Sequence, residues 1–262
     1  MEKALPPVSE ALAGQLEYLR LPAMRTHYKE FARRAVEAKQ THMEFLTALV
    51  EEEVRIRNER SIRSRLAAAK MPAIKTLDGW DWKWNAPGVR RETILPLFDL
   101  NFVQEKNNIL IVGRQGLGKT RIALALAHKA CSQGINTRFT TAADMLNRLM
   151  AATADHTLER ALLLFTRPKL LIIDEVGYLP FSKEAGDLFF QVIAKRYERG
   201  SIILTSNRAF KDWNEIFADS IVAAAIIERL VHHAEILTLK GKSYRLKDRQ
   251  ELENDPKTLE TH

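Results

Sequence analysis

The chain has 262 residues, 46% of them hydrophobic, with a formal net charge of +7 and one cysteine, Cys131. That length allows a full core plus a smaller unit, and a single cysteine excludes an internal disulfide. No apolar run approaches the ~18 residues a membrane span requires; the longest, Ile221 to Ile227, reads as buried helix. Met1-Glu2-Lys3 leads into prolines rather than an apolar stretch, so no signal peptide and a cytoplasmic location are expected. A pI near 9.5 suits a polyanionic partner.

Residues 1–72 read as a helical N-terminal domain, with helices over Val8 to Arg20, Ala23 to Ala38 and His42 to Lys70. Thr41 and Glu44 have the T-x-x-E spacing of a capping box. Phe45, Leu46, Leu49, Val50 and Val54 then form one apolar stripe. Beyond Glu53 the helix turns basic at Arg55, Arg57, Arg60, Arg63, Arg65 and Lys70, with Glu59 its one acid. Such a run spirals around the helix without pairing internally. It is either a solvated face or a phosphate-tracking surface for nucleic acid.

Residues 73–107 read as a linker. Trp80, Trp82 and Trp84 alternate, which on an extended segment puts them on one side. They can cover apolar surface at a domain junction or stack on bases. A short helix, Arg90 to Phe98, follows.

From Asn108 to about 249, strand and helix alternate, with strands expected at 108–112, 136–140, 170–174, 201–205 and 234–239. This predicts an α/β core with a parallel sheet covered on both faces. The polar tail, 250–262, is expected to be disordered.

Between the first strand and a helix over Arg121 to Ala130 stands Gly113-Arg114-Gln115-Gly116-Leu117-Gly118-Lys119-Thr120, which fits G-x-x-x-x-G-K-[ST]. In this pattern glycines let backbone N–H groups turn inward on phosphate oxygens, and the helix N-terminus adds partial positive charge. Lys119 can reach the β- and γ-phosphates of ATP, and Thr120 can ligate Mg2+. The apolar strand Leu170 to Ile173 ends in Asp174-Glu175. Asp174 is placed for the magnesium shell and Glu175 to orient or deprotonate an attacking water. Asn207, at the polar tip of the next strand, can hold that water or sense the γ-phosphate; this arrangement points to the AAA+ class. Arg229 ends an apolar helix and can neutralise γ-phosphate charge from a neighbouring subunit. His232 and His233 have no cysteine or carboxylate at metal-ligand spacing and read as structural.

On Gly113–Thr120, D-E-V-G-Y-L-P from Asp174, Arg196-Tyr197-Glu198, Thr205-Ser206-Asn207-Arg208, Glu228 to His233, Gly241 to Leu246 and Leu19 to Met24, the chain resembles the IstB-like ATPases. These are helpers encoded beside the transposase of certain bacterial insertion sequences. The resemblance implies an AAA+ ATPase near DnaC and DnaA, with an extra helix within Thr141 to Thr166 and a minimal or absent lid. It implies Mg2+-dependent ATP hydrolysis at a site contacted by Gly113 through Arg121. It also implies a homo-oligomer on DNA whose ATP sites are completed by the next subunit's Arg229, with Asn207 as first sensor. Its partners are then double-stranded DNA, bound largely without regard to sequence, and a cognate transposase whose target choice it influences. Arg148, Arg160, Arg167 and Lys169 are the DNA-contact candidates in and beside the insert, with support from Arg57, Arg60 and Arg63. Arg114 and Gln115 depart from the family's usual small residues and are expected to point away from phosphate; Arg245 is expected to be structural or interfacial. A DnaC-like replicative helicase loader and a small-molecule kinase are the competing readings.

Overall fold

The computed structural model describes residues 10–84, 88–178 and 180–244. The expectations for Val8, Arg245 and 250–262 lie outside them. The chain divides into two units between Ser64 and Arg65.

The first unit carries α1 (Glu10–Tyr18), α2 (Pro22–Glu37) and most of α3 (His42–Ala69). The capping box forms: Thr41 N–H donates to Glu44 at 2.7 Å, and Glu44 N–H donates to Thr41 Oγ1 at 3.2 Å. These bonds lower the Glu44 pKa. Pro22 opens α2, where its missing N–H is no loss. The next two N–H groups, of Ala23 and Met24, donate to the buried Glu53 carboxylate at 2.8 and 3.0 Å. A carboxylate at a helix N-terminus is favoured by the helix dipole, so α3 fixes the entry of α2 through one side chain. Two expectations are corrected. The α3 stripe is not buried as a whole: Leu49 is, while Leu46, Val50 and Val54 are exposed. The basic run does pair internally, because helical spacing brings the upstream acids within reach. Arg55 meets Glu52 and Glu59 at 2.7 and 2.6 Å, and Arg57 meets Glu53 at 3.2 Å.

In the second unit, α4 (Arg91–Ile94) passes into a 3-10 turn, Leu95–Asp99, at Pro96, and α5 (Asn101–Gln104) follows. The core then runs β1 (Asn108–Gly113), α6 (Lys119–Ser132), β2 (Thr137–Thr141), α7 (Ala142–Ala154), α8 (Leu158–Thr166) and β3 (Leu170–Val176). It continues with α9 (Lys183–Arg196), β4 (Ser201–Ser206), α10 (Ser220–Val231) and β5 (Ala234–Leu239). The five strands form one parallel sheet in the order β2-β3-β4-β1-β5. Alternation along each strand feeds two cores. Ile109, Ile111, Ile172 and Ile203 face α6, whereas Leu110, Leu171, Ile173 and Leu204 face the side of α7, α9 and α10. Each such buried side chain contributes roughly 1.5–3 kcal/mol. Two helices, α7 and α8, occupy the β2–β3 crossover, one more than a single βα unit needs.

Buried polar groups set the strand ends. Asn108 donates to Leu230 O at 3.0 Å and accepts from Ile202 N–H at 3.0 Å, tying the start of β1 to α10 and β4. Arg196 is 1% exposed. Its guanidinium donates to the carbonyls of Phe165, Pro168, Lys169 and Ser201 at 2.7 to 3.1 Å. One side chain thus clamps the end of α8 to the starts of β3 and β4. Burial pushes its pKa down to about 10, so it stays charged at neutral pH. The helix around Ile221 to Ile227 is only half buried: Ile226 is inside and Ile221 is 78% exposed.

A candidate phosphate-binding cleft

Parallel strands leave a crevice at their C-terminal ends where the connections part to opposite faces. Here β1 lies between β4 and β5, and the loop after it opens a cleft of about 310 Å3. Gly116 and Gly118 hold left-handed φ values of +78° and +87°, which turn the loop into the N-terminus of α6. Lys119 Nζ donates to Gly113 O and Arg114 O at 2.7 and 2.8 Å, which holds the ammonium over the loop. Lys119, Thr120, Glu175, Thr205 and Asn207 all line this one cleft.

The opposite wall is the paired ends of β3 and β4. Thr120 Oγ1 lies 3.0 Å from both oxygens of the buried Asp174. A hydroxyl and a carboxylate at this separation are hard oxygen donors of the kind Mg2+ takes alongside phosphate. Between Ile173 and Val176 the register against β4 slips by one residue, a β-bulge. Within it Glu175 has φ +63° and an exposed side chain. A bulge re-aims a side chain that strict alternation would bury, and the left-handed backbone costs about 1–2 kcal/mol. Thr205, a residue the sequence reading left without a role, secures it. Its hydroxyl accepts from Glu175 N–H at 3.1 Å and donates in a short bond to Asp174 Oδ1. The T-S-N tip at the same sheet depth as D-E was the available signal. Asn207 Oδ1 is buried with no protein partner, an acceptor suited to a water.

Other predicted residues lie as follows. Leu117 is buried and anchors the loop; Arg114 is exposed. Gln115 does not turn away from the cleft: it lines it and donates to Tyr178 OH at 2.6 Å. Arg121 donates to Thr76 O and Asp78 O at 3.3 and 2.8 Å. The tryptophans are not on an extended segment. Asp81 accepts from Lys83 N–H and Trp84 N–H at 3.0 and 3.2 Å and folds them into a turn, with Trp80 against Gly118.

Arg229 is not at this cleft. It lies in the last turn of α10, donating to Ala225 O at 2.9 Å with its guanidinium 4.9 Å from the Phe190 ring centre. The adjacent Leu230 carbonyl is bonded to Asn108, at the start of β1, whereas the phosphate loop follows the end of β1. Roughly 17 Å of strand separates the two ends. At that far end Tyr197 OH bonds His232 Nδ1 at 2.8 Å, and Glu198 lies 3.6 Å from His233 Nε2. Glu198, His232 and His233 present ligand atoms within 4.8 Å of one another, so these histidines do have a carboxylate neighbour, supplied by folding rather than spacing. Arg148, Arg160, Arg167 and Lys169 are exposed on or beside α7 and α8. Arg60 and Arg63 are exposed too, while Arg57 is engaged by Glu53 and by Arg20 O at 2.6 Å. Among the described residues no helix is long and apolar enough to cross a membrane.

The profile of the IstB-like ATP binding protein family matches residues 14–252. An IS21 insertion-sequence protein of Pseudomonas aeruginosa, described as ATP-binding, is 38% identical over 90% of this chain and 88% of its own length. An IS5376 counterpart from Geobacillus stearothermophilus is 40% identical over 88% of this chain and 92% of its own. In fold, the chain resembles the replication initiator DnaA bound to AMPPCP and single-stranded DNA, with a TM-score of 0.55 at 20% identity. That likeness covers 72% of this chain and 59% of the initiator. It also resembles the DnaC helicase loader, with a TM-score of 0.50 at 20% identity over 61% of this chain and 98% of the loader. The likeness is one of fold: a five-stranded parallel sheet flanked by helices, with the phosphate-loop sequence after β1.

Proposed function

The chain belongs to the IstB-like ATP-binding protein family, and on that footing we propose that it is a Mg2+-dependent ATPase that assembles on DNA and serves a transposase. The observation that carries the ATPase part is the convergence on one cleft of Lys119, the Thr120–Asp174 pair and the outward-turned Glu175. Lys119 and the N-terminus of α6 bind the phosphates, while Thr120 and Asp174 would hold Mg2+. When bound, the ion would supply charge neutralisation to the phosphates. Glu175 orients and deprotonates the attacking water, and Asn207 positions it through its amide. Gly113 through Arg121 form the phosphate-side contacts.

The second half of each site comes from a neighbour. Arg229 sits at the opposite end of β1 from the phosphate loop, so it reaches a γ-phosphate only on another copy. Such a head-to-tail contact builds rings or open helices. Exposed Arg148, Arg160, Arg167 and Lys169, with Arg60 and Arg63, track the DNA backbone. Phosphate contacts carry no sequence information and weaken with salt. The assembled form recruits the transposase and influences target choice. The relatives' insertion-sequence setting favours this over the helicase-loader reading.

The test is particle size and ATP turnover, with and without duplex DNA, at two salt concentrations. Large particles that need both ATP and DNA and recede with salt support the proposal. A monomer whose turnover ignores DNA overturns it. Lys119→Ala removes ATP binding if the loop is the site; undiminished affinity in that variant contradicts it.

A further inference from the structure

The far end of β1 carries a side-chain cluster that the phosphate chemistry does not use. It joins two segments remote in sequence, the turn from α9 into β4 and the end of α10. Tyr197 is the C-cap of α9. Glu198 follows with φ +55°, a left-handed value that glycine adopts at less cost. His232 is the C-cap of α10, and His233 comes next. Among the described residues, Glu198, His232 and His233 are the one such trio whose ligand atoms all lie within 4.8 Å of one another.

The rings order the cluster. Tyr197 stacks on both imidazoles, its ring centre 6.0 Å from that of His232 and 6.5 Å from that of His233. The two imidazole centres are 4.0 Å apart. The Tyr197 hydroxyl bonds His232 Nδ1 at 2.8 Å, the kind of outer contact that orients a ligating imidazole. His233 Nε2 and Glu198 Oε1 are 3.6 Å apart, too far for a hydrogen bond. That separation suits a shared ion: around a tetrahedral Zn2+ with bonds of about 2.0–2.1 Å, ligand atoms stand roughly 3.4 Å from one another. The side chains of His233 and Glu198 are 45% and 59% exposed, so an ion can enter from solvent. The nearest cation on α10, Arg229, is turned onto the Phe190 ring.

We propose that Glu198, His232 and His233 form a binding site for a divalent transition metal such as Zn2+. Two imidazoles and a carboxylate are a ligand set that Zn2+ takes, with a fourth position left for water. Mg2+ and Ca2+ want oxygen donors throughout, which separates this site from the Thr120–Asp174 pair. The C-terminus of α10 adds partial negative charge that favours a cation. Bound there, the ion ties the α9–β4 turn to the end of α10, about one turn beyond Arg229.

The experiment titrates the full, untagged chain with Zn2+ in competition with a colorimetric chelator. Nucleotide is left out, and Mg2+ is in large excess to hold the Thr120–Asp174 pair. Wild type, His232→Ala, His233→Ala and Glu198→Gln are compared with His42→Gln, an exposed histidine of α3 outside the cluster. All three cluster side chains are exposed, so these substitutions leave the core intact, and thermal melts show that each variant is folded. Wild type is expected to take up a single Zn2+ per chain. Each cluster variant is expected to weaken that uptake by roughly 10–100-fold or more, because losing even an outer-shell partner costs that much. His42→Gln is expected to bind as wild type does. Wild type that takes up no Zn2+, or uptake that survives both histidine substitutions, overturns the site. Glu198→Gln binding as tightly as wild type, or His42→Gln as damaging as the cluster variants, overturns it too.

Discussion

The two ends of β1 are built differently. At the C-terminal end, Asp174 is buried, Thr120 and Thr205 bond to it, and the Glu175 backbone is held in a left-handed bulge. At the N-terminal end, Arg229 bonds, among the described residues, a carbonyl of its own helix and lies over Phe190 in a partly exposed position. The first set is pre-organised within one chain. The second bears a cation to which, among the described residues, no carboxylate is bonded, at the end of β1 opposite its own cleft. Under the proposed ATPase function, whose chemistry is positioning and charge, this separation would let a single subunit bind nucleotide while hydrolysis waits for a neighbour.

Substitutions at the two ends break that comparison in different ways. Arg229→Ala is expected to have the largest effect, lowering turnover of the assembled protein by about 10³-fold or more. ATP affinity of the isolated chain stays unchanged, as steady-state hydrolysis and equilibrium titration would show. Glu175→Gln comes next, with turnover down by about 10²–10⁴-fold and ATP-dependent particles that persist longer in sizing experiments. Thr205→Val removes the hydroxyl that joins Glu175 N–H to Asp174; a lost buried hydrogen bond of about 1–3 kcal/mol predicts roughly a tenfold fall in turnover. Thr205→Ser should restore most of it, and a serine variant no better than valine removes Thr205 from this role. Arg196→Lys should leave ATP affinity of the folded protein nearly untouched. It should lower stability by about 2–3 kcal/mol in denaturant titrations, because an ammonium cannot reach carbonyls spread over three elements.

The strands were legible because their buried runs, such as Ile109 to Val112, end in abrupt polar loops. The phosphate loop was legible because its glycines and lysine have one spacing. The bulge at Glu175 was not: it depends on register against β4, and a one-residue slip has no local sequence mark. Pairing partners far apart in sequence were missed for the same reason, as with Glu198 beside His233 or Tyr244 on Gly116. The tryptophan alternation misled because Asp81 folds the segment into a turn by bonding the N–H groups of Lys83 and Trp84, overriding the period-2 pattern. The basic run on α3 misled because its partners, Glu52 and Glu53, lie just upstream of it.

The proposed division of each site between two copies is tested most directly by ATP turnover of an equimolar mixture of Lys119→Ala and Arg229→Ala chains. Each alone should be inactive. Mixed, random head-to-tail pairing should recover roughly a quarter of the wild-type rate, since that fraction of contacts joins two intact halves. A mixture as inactive as its components would contradict the account and return Arg229 to a role within its own chain.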